Sequence, residues 1–175
     1  MHILVTVRSN EPTVREPSAA SQCLIVFVAV DSDSKPVPVP AWTPHTPAEL
    51  QRARQAQARI RIRAEIEAAM IGTRYTTAGT APTTTLAFLA APSDINWSGK
   101  VHGGKTMRWI DEAAYACAAR WTGSRVLASY IAGIRFYRPL LIGQAIEVTA
   151  RLLHTGPHSM HLSVHVDGTD PHTHT

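Results

Sequence analysis

Hydrophobic residues recur at two different spacings along this chain. Runs rich in β-branched residues at 2–7, 23–30, 83–91, 125–137, 145–154 and 160–166 predict strands. Two stretches read as helices instead. Residues 47–70 are dominated by Ala, Gln, Arg and Glu. Thr46 can cap their start with Glu49 three residues later, and Gly72 follows their end. The run of arginines on this stretch reads as a solvated face rather than a binding stripe. From about Gly103 to Trp121, the residues Met107, Ile110, Ala114, Cys117, Ala118 and Trp121 recur at helical spacing. Polar segments separate these elements. Ser9 to Ser21 holds two prolines, and Asp31 to Ser34 forms a turn. The alternating prolines Pro36, Pro38 and Pro40 cannot donate to a ladder, so they mark an extended edge or a linker. Residues 73–81 read as linker, 92–99 as a loop, 155–159 as a turn and 167–175 as a polar tail.

Two strand patterns resemble each other. Residues 1–7 match residues 160–166 at four of seven positions, namely Met1 with Met160, His2 with His161, Val5 with Val164 and Val7 with Val166. Pro12 and Pro171 keep the same register. Shared β-alternation can produce such a match. The other reading is that the chain spans one period of a tandem array, beginning late in one repeat and stopping late in the next. The second repeat then lacks a closing strand after Val166 and exposes a sheet edge. The strand around Cys23 to Val30, from this chain or a neighbour, is the candidate to fill it.

Composition narrows the classes. Hydrophobic residues make up 45% of 175, enough to bury a core. The net charge of +4 suits an anionic ligand without selecting one. Lys and Arg are dispersed and aromatics are only 6%, which argues against nucleic acid as a partner. Cys23 and Cys117 each sit in an apolar run and read as buried free thiols in a reducing compartment, although a disulfide between them is compatible with the sequence. The apolar run after Met1 is too short for a signal peptide, and no apolar stretch approaches the length of a bilayer span. The expectation is a soluble, cytoplasmic protein with no membrane partner.

Chemistry can be sought between Pro92 and Ala114. Gly103 and Gly104 open the second helix, and amides at a helix start can hold a carbonyl oxygen or a developing oxyanion. Asp111 follows Met107 by four residues, which puts a carboxylate on or beside the expected buried face, where it is costly unless paired or used. A salt bridge to Arg108, or simple exposure, are the alternatives. The stretch from Gly99 to Thr106 formally fits G-x-x-x-x-G-K-[ST]. A phosphate loop needs an apolar strand running into its first glycine. Here the polar stretch from Pro92 to Ser98 intervenes, which argues against a nucleotide triphosphatase. No Gly-x-Ser-x-Gly occurs. The nine histidines show no metal-ligand spacing, so no metal site is expected.

The pattern Pro92-Ser-Asp-x-Asn-x-x-Gly-x-Val-His-Gly-Gly, followed by Ile-Asp-Glu-Ala-Ala at 110–114, resembles the cytosolic acyl-CoA thioester hydrolases of the hotdog superfamily. Residues 136–143 are similar to that family's turn between its second and third strands, and residues 155–160 to the turn before its fourth. The resemblance covers about Thr83 to Val166. The N-terminal part, with Val26 to Asp31, Pro36 to Pro40 and the helix holding Glu49, looks like the end of a repeat in tandem members. The resemblance implies an α+β hotdog fold, a curved antiparallel sheet wrapped around a long central helix. Residues 1–40 would be the C-terminal strands of one repeat, 41–80 a helix and linker, and 81–175 the N-terminal helix and strands of a second.

The family further implies hydrolysis of acyl-CoA thioesters at an interface between paired hotdogs, as dimers or trimers of dimers. Acyl-CoA or CoA is then the ligand, and no cofactor is needed beyond the CoA of the substrate. The catalytic carboxylate maps onto Asp111, as general base on water or as nucleophile. An unperturbed aspartate, with a pKa of about 3.9, is a weak base that burial in an apolar groove would strengthen. Gly103 and Gly104 would polarise the thioester oxygen. Asn96, Lys100, Val101, His102, Thr155 and Ser159 would line the substrate. Three of these have plainer readings: Asn96 as a loop cap, His102 as a packed structural histidine and Lys100 as a solvated lysine. One departure stands out. Tandem members place Asn at the position of Lys100 in one repeat, so this copy resembles the repeat that supplies the aspartate of a composite site. A non-catalytic hotdog that binds CoA or serves assembly is the alternative function.

Overall fold

The computed structural model describes residues 2–9, 18–33, 35–72, 80–131 and 133–173. The chain divides into two compact units, Met1–Ile66 and Glu67–Thr175. The proline-bearing stretch 10–17 and most of the expected linker at 73–81 lie outside the described residues.

In the first unit, strands β1 (His2–Ser9) and β2 (Ser18–Val26) pair antiparallel, from His2 against Val26 to Ser9 against Ser18. The second strand therefore lies earlier than the expected 23–30. Val26 already meets the first residue of β1, so the ladder ends there, and Val30 makes only an isolated bridge with Pro36. The turn before the prolines is held by Asp31, whose Oδ1 accepts the amides of Asp33 and Lys35, each at 2.9 Å. Helix α1 (Pro47–Gly72) opens with the capping box read from the sequence. Thr46 Oγ1 accepts the Glu49 amide at 3.2 Å, while Glu49 Oε2 accepts the amides of Thr46 at 2.9 Å and His45 at 2.8 Å. No residue of α1 is buried, so its arginines lie on a solvated face.

Among the described residues, the second unit is a three-stranded antiparallel sheet crossed by a helix. Strands β3 (Thr83–Leu89), β4 (Ala145–Thr155) and β5 (Met160–Thr169) stand in that spatial order. Thr83 faces Arg151 and Leu89 faces Ala145, while Ala145 faces Thr169 and Thr155 faces Met160. Alternation explains which face is covered. Ile146, Val148 and Ala150 of β4 are fully buried, with Leu86 and Phe88 of β3 and Leu162, Val164 and Val166 of β5 packed around them. Burying a side chain such as Ile146 stabilises the unit by roughly 1.5–3 kcal/mol. Strand β5 runs to Thr169 rather than stopping at Val166. Asp167, Gly168 and Thr169 continue the ladder because β4 reaches back to Ala145 and offers them partners.

Helix α2 (Gly103–Thr122) covers this sheet and ends on Gly123 in the left-handed conformation, φ 66°. Its buried residues are Thr106, Trp109, Ala113, Cys117 and Ala118. The expected stripe through Met107, Ile110, Ala114 and Trp121 is thus rotated. Met107 and Trp121 are exposed, and Trp109 takes the core position, with its ring edge-on to Phe88 at 4.8 Å. Small residues explain the rotation: Ala113 and Cys117 let the helix approach the sheet, and the large Trp109 fills the gap beside Phe88. Cys117 is buried as expected, but Cys23 is exposed, and both are free thiols.

The expected strand at 125–137 does not form. Its described residues pair in no ladder, and many of its apolar side chains face outward: Leu127 is 94% exposed and Tyr130 83%. Among the described residues, this stretch finds no strand to pair with in the β3-β4-β5 sheet. Arg135 instead pairs with Glu67 and lies over the Tyr137 ring. Among the described residues, no helix is long and apolar enough to cross a membrane.

Candidate active site

The loop between β3 and α2 is built by two side chains, one carboxamide and one carboxylate, acting on backbone. Asn96 Oδ1 accepts the Ser98 amide at 2.8 Å, the Ser98 hydroxyl at 2.8 Å and the Lys100 amide at 3.1 Å. The side chain closes the turn around Gly99, whose φ of 80° suits glycine. The oxygen of Asn96 is thereby committed to its own loop. Asp94, in a short 3₁₀ turn (Pro92–Asp94), accepts the Ala91 amide through Oδ2 at 3.1 Å and pairs with Lys105 Nζ through Oδ1 at 3.1 Å. Its carbonyl accepts the His102 amide at 2.8 Å. Asp94 thus ties the end of β3 to the first turn of α2. The lysine of the phosphate-loop-like pattern is engaged in this pair, and its threonine, Thr106, is buried in the core.

The helix start is capped by His102. Its Nδ1 accepts the Gly104 amide at 3.0 Å. An accepting Nδ1 carries no proton, so the neutral ring holds its proton on Nε2. Of the two expected glycine donors, Gly104 is therefore already occupied. The Gly103 amide has no acceptor among the described residues. The Phe136 ring lies over Gly103, such that a Cβ there would stand 3.5 Å from its Cζ. The segment that follows Phe136 meets the same loop, since the Val101 amide donates to the Leu140 carbonyl at 2.9 Å and Lys100 bridges Leu141. The stretches 92–104 and 136–143, distant in sequence, meet in one place.

Asp111 is exposed, which departs from the expected position beside the buried face. It sits on the face of α2 turned away from the sheet, in line with Met107 four residues before it and Tyr115 four after it. Both of these are exposed as well, at 44% and 52%. Arg108 does not neutralise it, because Arg108 pairs with Glu112 at 2.7 Å, which also raises the guanidinium pKa above its ordinary value. The carboxylate therefore projects from an apolar stripe that nothing in its own unit covers among the described residues.

The remaining expected residues separate. Val101 is buried in the core at 7% exposure, so its side chain packs against the sheet and is not open to a ligand. Lys100 is half-buried, and His102 is exposed. Thr155 ends β4 and Ser159 lies in the turn that follows, where the Gly156 amide donates to the Ser159 carbonyl at 2.8 Å. That turn is at the opposite end of β4 from Ala145, some ten residues or about 30 Å along the strand, so one chain does not bring them to Gly103. A cleft of about 380 Å³ lies between Ala81, Pro82, Thr83, Thr84, Cys117, Arg120 and Trp121, near the C-terminal end of α2. It touches neither Asp111 nor the helix start, and the geometry of the loop is the better guide to chemistry. Among the described residues, no group of three or more His, Cys, Asp or Glu is placed to hold a metal ion.

Sequence reasoning missed Asp94 and Lys105 as a pair. The signal was present in Pro92-Ser-Asp94, a proline at the start of a turn with an acceptor two residues on.

The relatives agree with this architecture. Residues 98–173 match the family model described as the thioesterase superfamily. The human cytosolic acyl coenzyme A thioester hydrolase is 36% identical over 86 residues, 49% of this chain and 22% of that protein. The acyl-CoA thioester hydrolase YciA of Escherichia coli is 30% identical over 78 residues, 45% of this chain and 59% of that protein. A crystal structure of an apo-hexameric acyl-CoA thioesterase superposes with a TM-score of 0.52 at 31% identity, over 53% of this chain and 60% of that one. An acyl-CoA hydrolase from Agrobacterium tumefaciens superposes with a TM-score of 0.51 at 27% identity, over 57% and 40% of the two chains. The fold and loop define a hotdog domain. Through residues 98–173 the chain is similar to the thioesterase superfamily, and the solved acyl-CoA thioesterases share its fold over about half of the chain. The chain spans only 22% of the human relative's length and 59% of that of the Escherichia coli protein.

Proposed function

We propose that this chain hydrolyses acyl-CoA thioesters as one half of a two-hotdog site. The observation that carries the proposal is Asp111, an exposed carboxylate in an apolar stripe of α2, turned away from its own sheet. Asp111 accepts a proton from water, and the water oxygen attacks the thioester carbonyl carbon. Asp111 can alternatively attack that carbon itself. Loss of the CoA thiolate then leaves a mixed anhydride on Asp111. Water hydrolyses it to the free acid, which regenerates the carboxylate and supplies the proton that the thiolate takes up. The carbonyl oxygen gains charge and is held by a helix-start amide, for which Gly103 is the donor. Collapse of the tetrahedral species breaks the carbon–sulfur bond, and the CoA sulfur takes up the proton. Free fatty acid and CoA leave. No cofactor enters beyond the CoA of the substrate.

Helix geometry argues that two copies share the work. Gly103 and Asp111 are eight residues apart, about 12 Å along the axis. A single carbonyl carbon cannot lie within about 3 Å of a water held by Asp111 while its oxygen bonds Gly103 of the same helix without a fully stretched arrangement. Pairing of two hotdogs sets Asp111 of one copy against the helix start of the other and covers Met107 and Tyr115. The hexameric relative supports self-association of this kind, as a dimer or a trimer of dimers. Residues 1–40 are then the closing strands of one repeat, 41–80 a helix and linker, and 81–175 the start of a second. The cytoplasm as location is supported by the cytosolic human relative.

A second reading has its own support. Lys100 stands where a composite site would have an amide side chain, and His102 occupies the Gly104 amide. On that reading the chain binds CoA or serves assembly without turnover. Release of free CoA thiol from palmitoyl-CoA and acetyl-CoA separates the two. Turnover that disappears in Asp111→Asn while CoA binding persists supports hydrolysis. Undiminished turnover in Asp111→Asn rules out its role. No turnover in the parent chain, with CoA still bound, selects the second reading.

A further inference from the structure

We propose that Asp94 is the positioning residue for the Gly103 donor, fixing from both flanks the peptide that carries the Gly103 amide. The inference rests on the hydrolysis reading above, in which that amide holds the thioester oxygen. Gly103 and Gly104 are the most permissive backbone a chain can offer, so their restraint has to come from outside them. The Gly103 N–H belongs to the peptide plane between His102 and Gly103, and its direction is set by whatever holds that plane. On the near flank, the His102 amide donates to the Asp94 carbonyl at 2.8 Å. On the far flank, Lys105 Nζ meets Asp94 Oδ1 at 3.1 Å. The carbonyl of the plane itself is bonded into the helix, accepting the amides of Lys105 at 2.8 Å and Thr106 at 3.3 Å. The N–H on the opposite side of the plane therefore points out of the helix start.

Asp94 is itself anchored to the sheet. Its Oδ2 accepts the Ala91 amide at 3.1 Å, and its own amide donates to the Ala91 carbonyl at 2.9 Å. The preceding Ala90 is buried, donates to the Gln144 carbonyl and accepts the Gly143 amide, each at 2.9 Å. A continuous chain of bonds thus runs from the end of β3 through Asp94 to the residues on either side of the Gly103 peptide. The Asp94 side chain is largely buried, so solvent screens its pair with Lys105 less than a surface pair. Of the two side-chain oxygens, Oδ2 keeps the loop closed and Oδ1 holds the first turn of α2. Those two tasks can be separated by substitution.

Asp94→Asn keeps an acceptor for the Ala91 amide and gives up the charge that holds Lys105. Two readouts are taken on the full chain. In amide relaxation measured by NMR, the Gly103 N–H is expected to leave the rigid range, an order parameter of about 0.85, while Trp109 further along α2 stays in it. In release of CoA thiol from palmitoyl-CoA, kcat is expected to fall about tenfold or more with KM within about threefold, the signature of a misplaced group rather than of lost binding. Lys105→Met should show the same split, and the double variant should lose no more than either single one, because both act through one contact. A general loss of stability would instead loosen Trp109 as well and add across the two substitutions. A rigid Gly103 in Asp94→Asn, an unchanged kcat, or additive losses overturn the inference. A parent chain without turnover overturns the hydrolysis reading instead, and the order parameter of Gly103 then decides the positioning by itself. Should Asp94→Asn fail to fold, Lys105→Met takes its place in both readouts.

Discussion

The ring of His102 and the amide of Gly104 meet at 3.0 Å, and this side-chain cap joins the His102 carbonyl, which accepts the Lys105 amide at 2.8 Å, in starting α2. It replaces the usual oxygen cap with an imidazole nitrogen and leaves Gly103 as the open donor. Removing it in His102→Ala should cost about 0.5–2 kcal/mol. His102→Asn, which keeps an acceptor of similar reach, should recover most of that. Urea unfolding of the three proteins checks the order. A His102→Ala protein as stable as the parent would show that the cap is dispensable.

Asp94 and Lys105 predict a separable effect. Asp94 is 12% exposed at its side chain and bonds both the Ala91 amide and Lys105. Asp94→Ala leaves the amide without its partner, which should cost about 1–3 kcal/mol. Lys105→Met removes only the partly exposed ion pair, 40% exposed on the lysine side, and should cost under about 1 kcal/mol. If the pair orients the loop for substrate, CoA affinity should fall more in Asp94→Ala than in Lys105→Met. Calorimetric binding of CoA to the two variants tests this, and equal losses would place the effect in the charge of Lys105 rather than in the loop.

The extent of α2, the position of β4 and the capping box at Thr46 and Glu49 could be read from sequence because each rests on local chemistry: apolar residues at helical spacing, a run of β-branched residues, an acceptor three residues from a hydroxyl. The motif at Gly103, His102 and Asp111 was legible as a family pattern. Two features were not. The rotation of α2 that exposes Met107 and buries Trp109 depends on which side chain meets Phe88, a tertiary choice between two apolar stripes. The unformed strand at 125–137 depends on a pairing partner, and its own β-branched residues carry no information about whether one is present. The exposure of Asp111 follows from the same rotation.

Gly168 links β5 to the site loop. A Cβ there would stand 2.7 Å from Leu140 Cδ2 and 2.9 Å from Gln144 Oε1, the atom that accepts the Leu141 amide at 2.8 Å. Gly168→Ala should therefore displace the Leu140–Gln144 turn that supports Val101. The cost should be about 1–3 kcal/mol, toward the lower end because both clashing atoms terminate flexible side chains. Ile146→Ala, at the fully buried residue that faces Gly168 across the same strand pair, should cost about 2–5 kcal/mol through its cavity. Chemical denaturation ranks the two. A larger loss in Gly168→Ala would mean that the turn, not the core, limits the stability of this unit.

Glu49 gives a pH dependence with a definite sign. The amides of His45 and then Thr46, donating to its carboxylate, hold its pKa below the ordinary glutamate value. A depressed carboxylate contributes its stabilisation above the unfolded pKa and loses it as pH falls through the lower folded value. The cap of α1 should therefore survive while ordinary glutamates protonate, and fail only at more acid pH. Amide resonances of His45 and Thr46, followed in an acid titration, should move at a pH below the ordinary glutamate pKa of about 4.3. A midpoint at that ordinary value would show that the capping bonds do not persist in solution. Glu49→Gln keeps an acceptor without the charge, so it should retain the cap across the same range and abolish the pH dependence of those two amides.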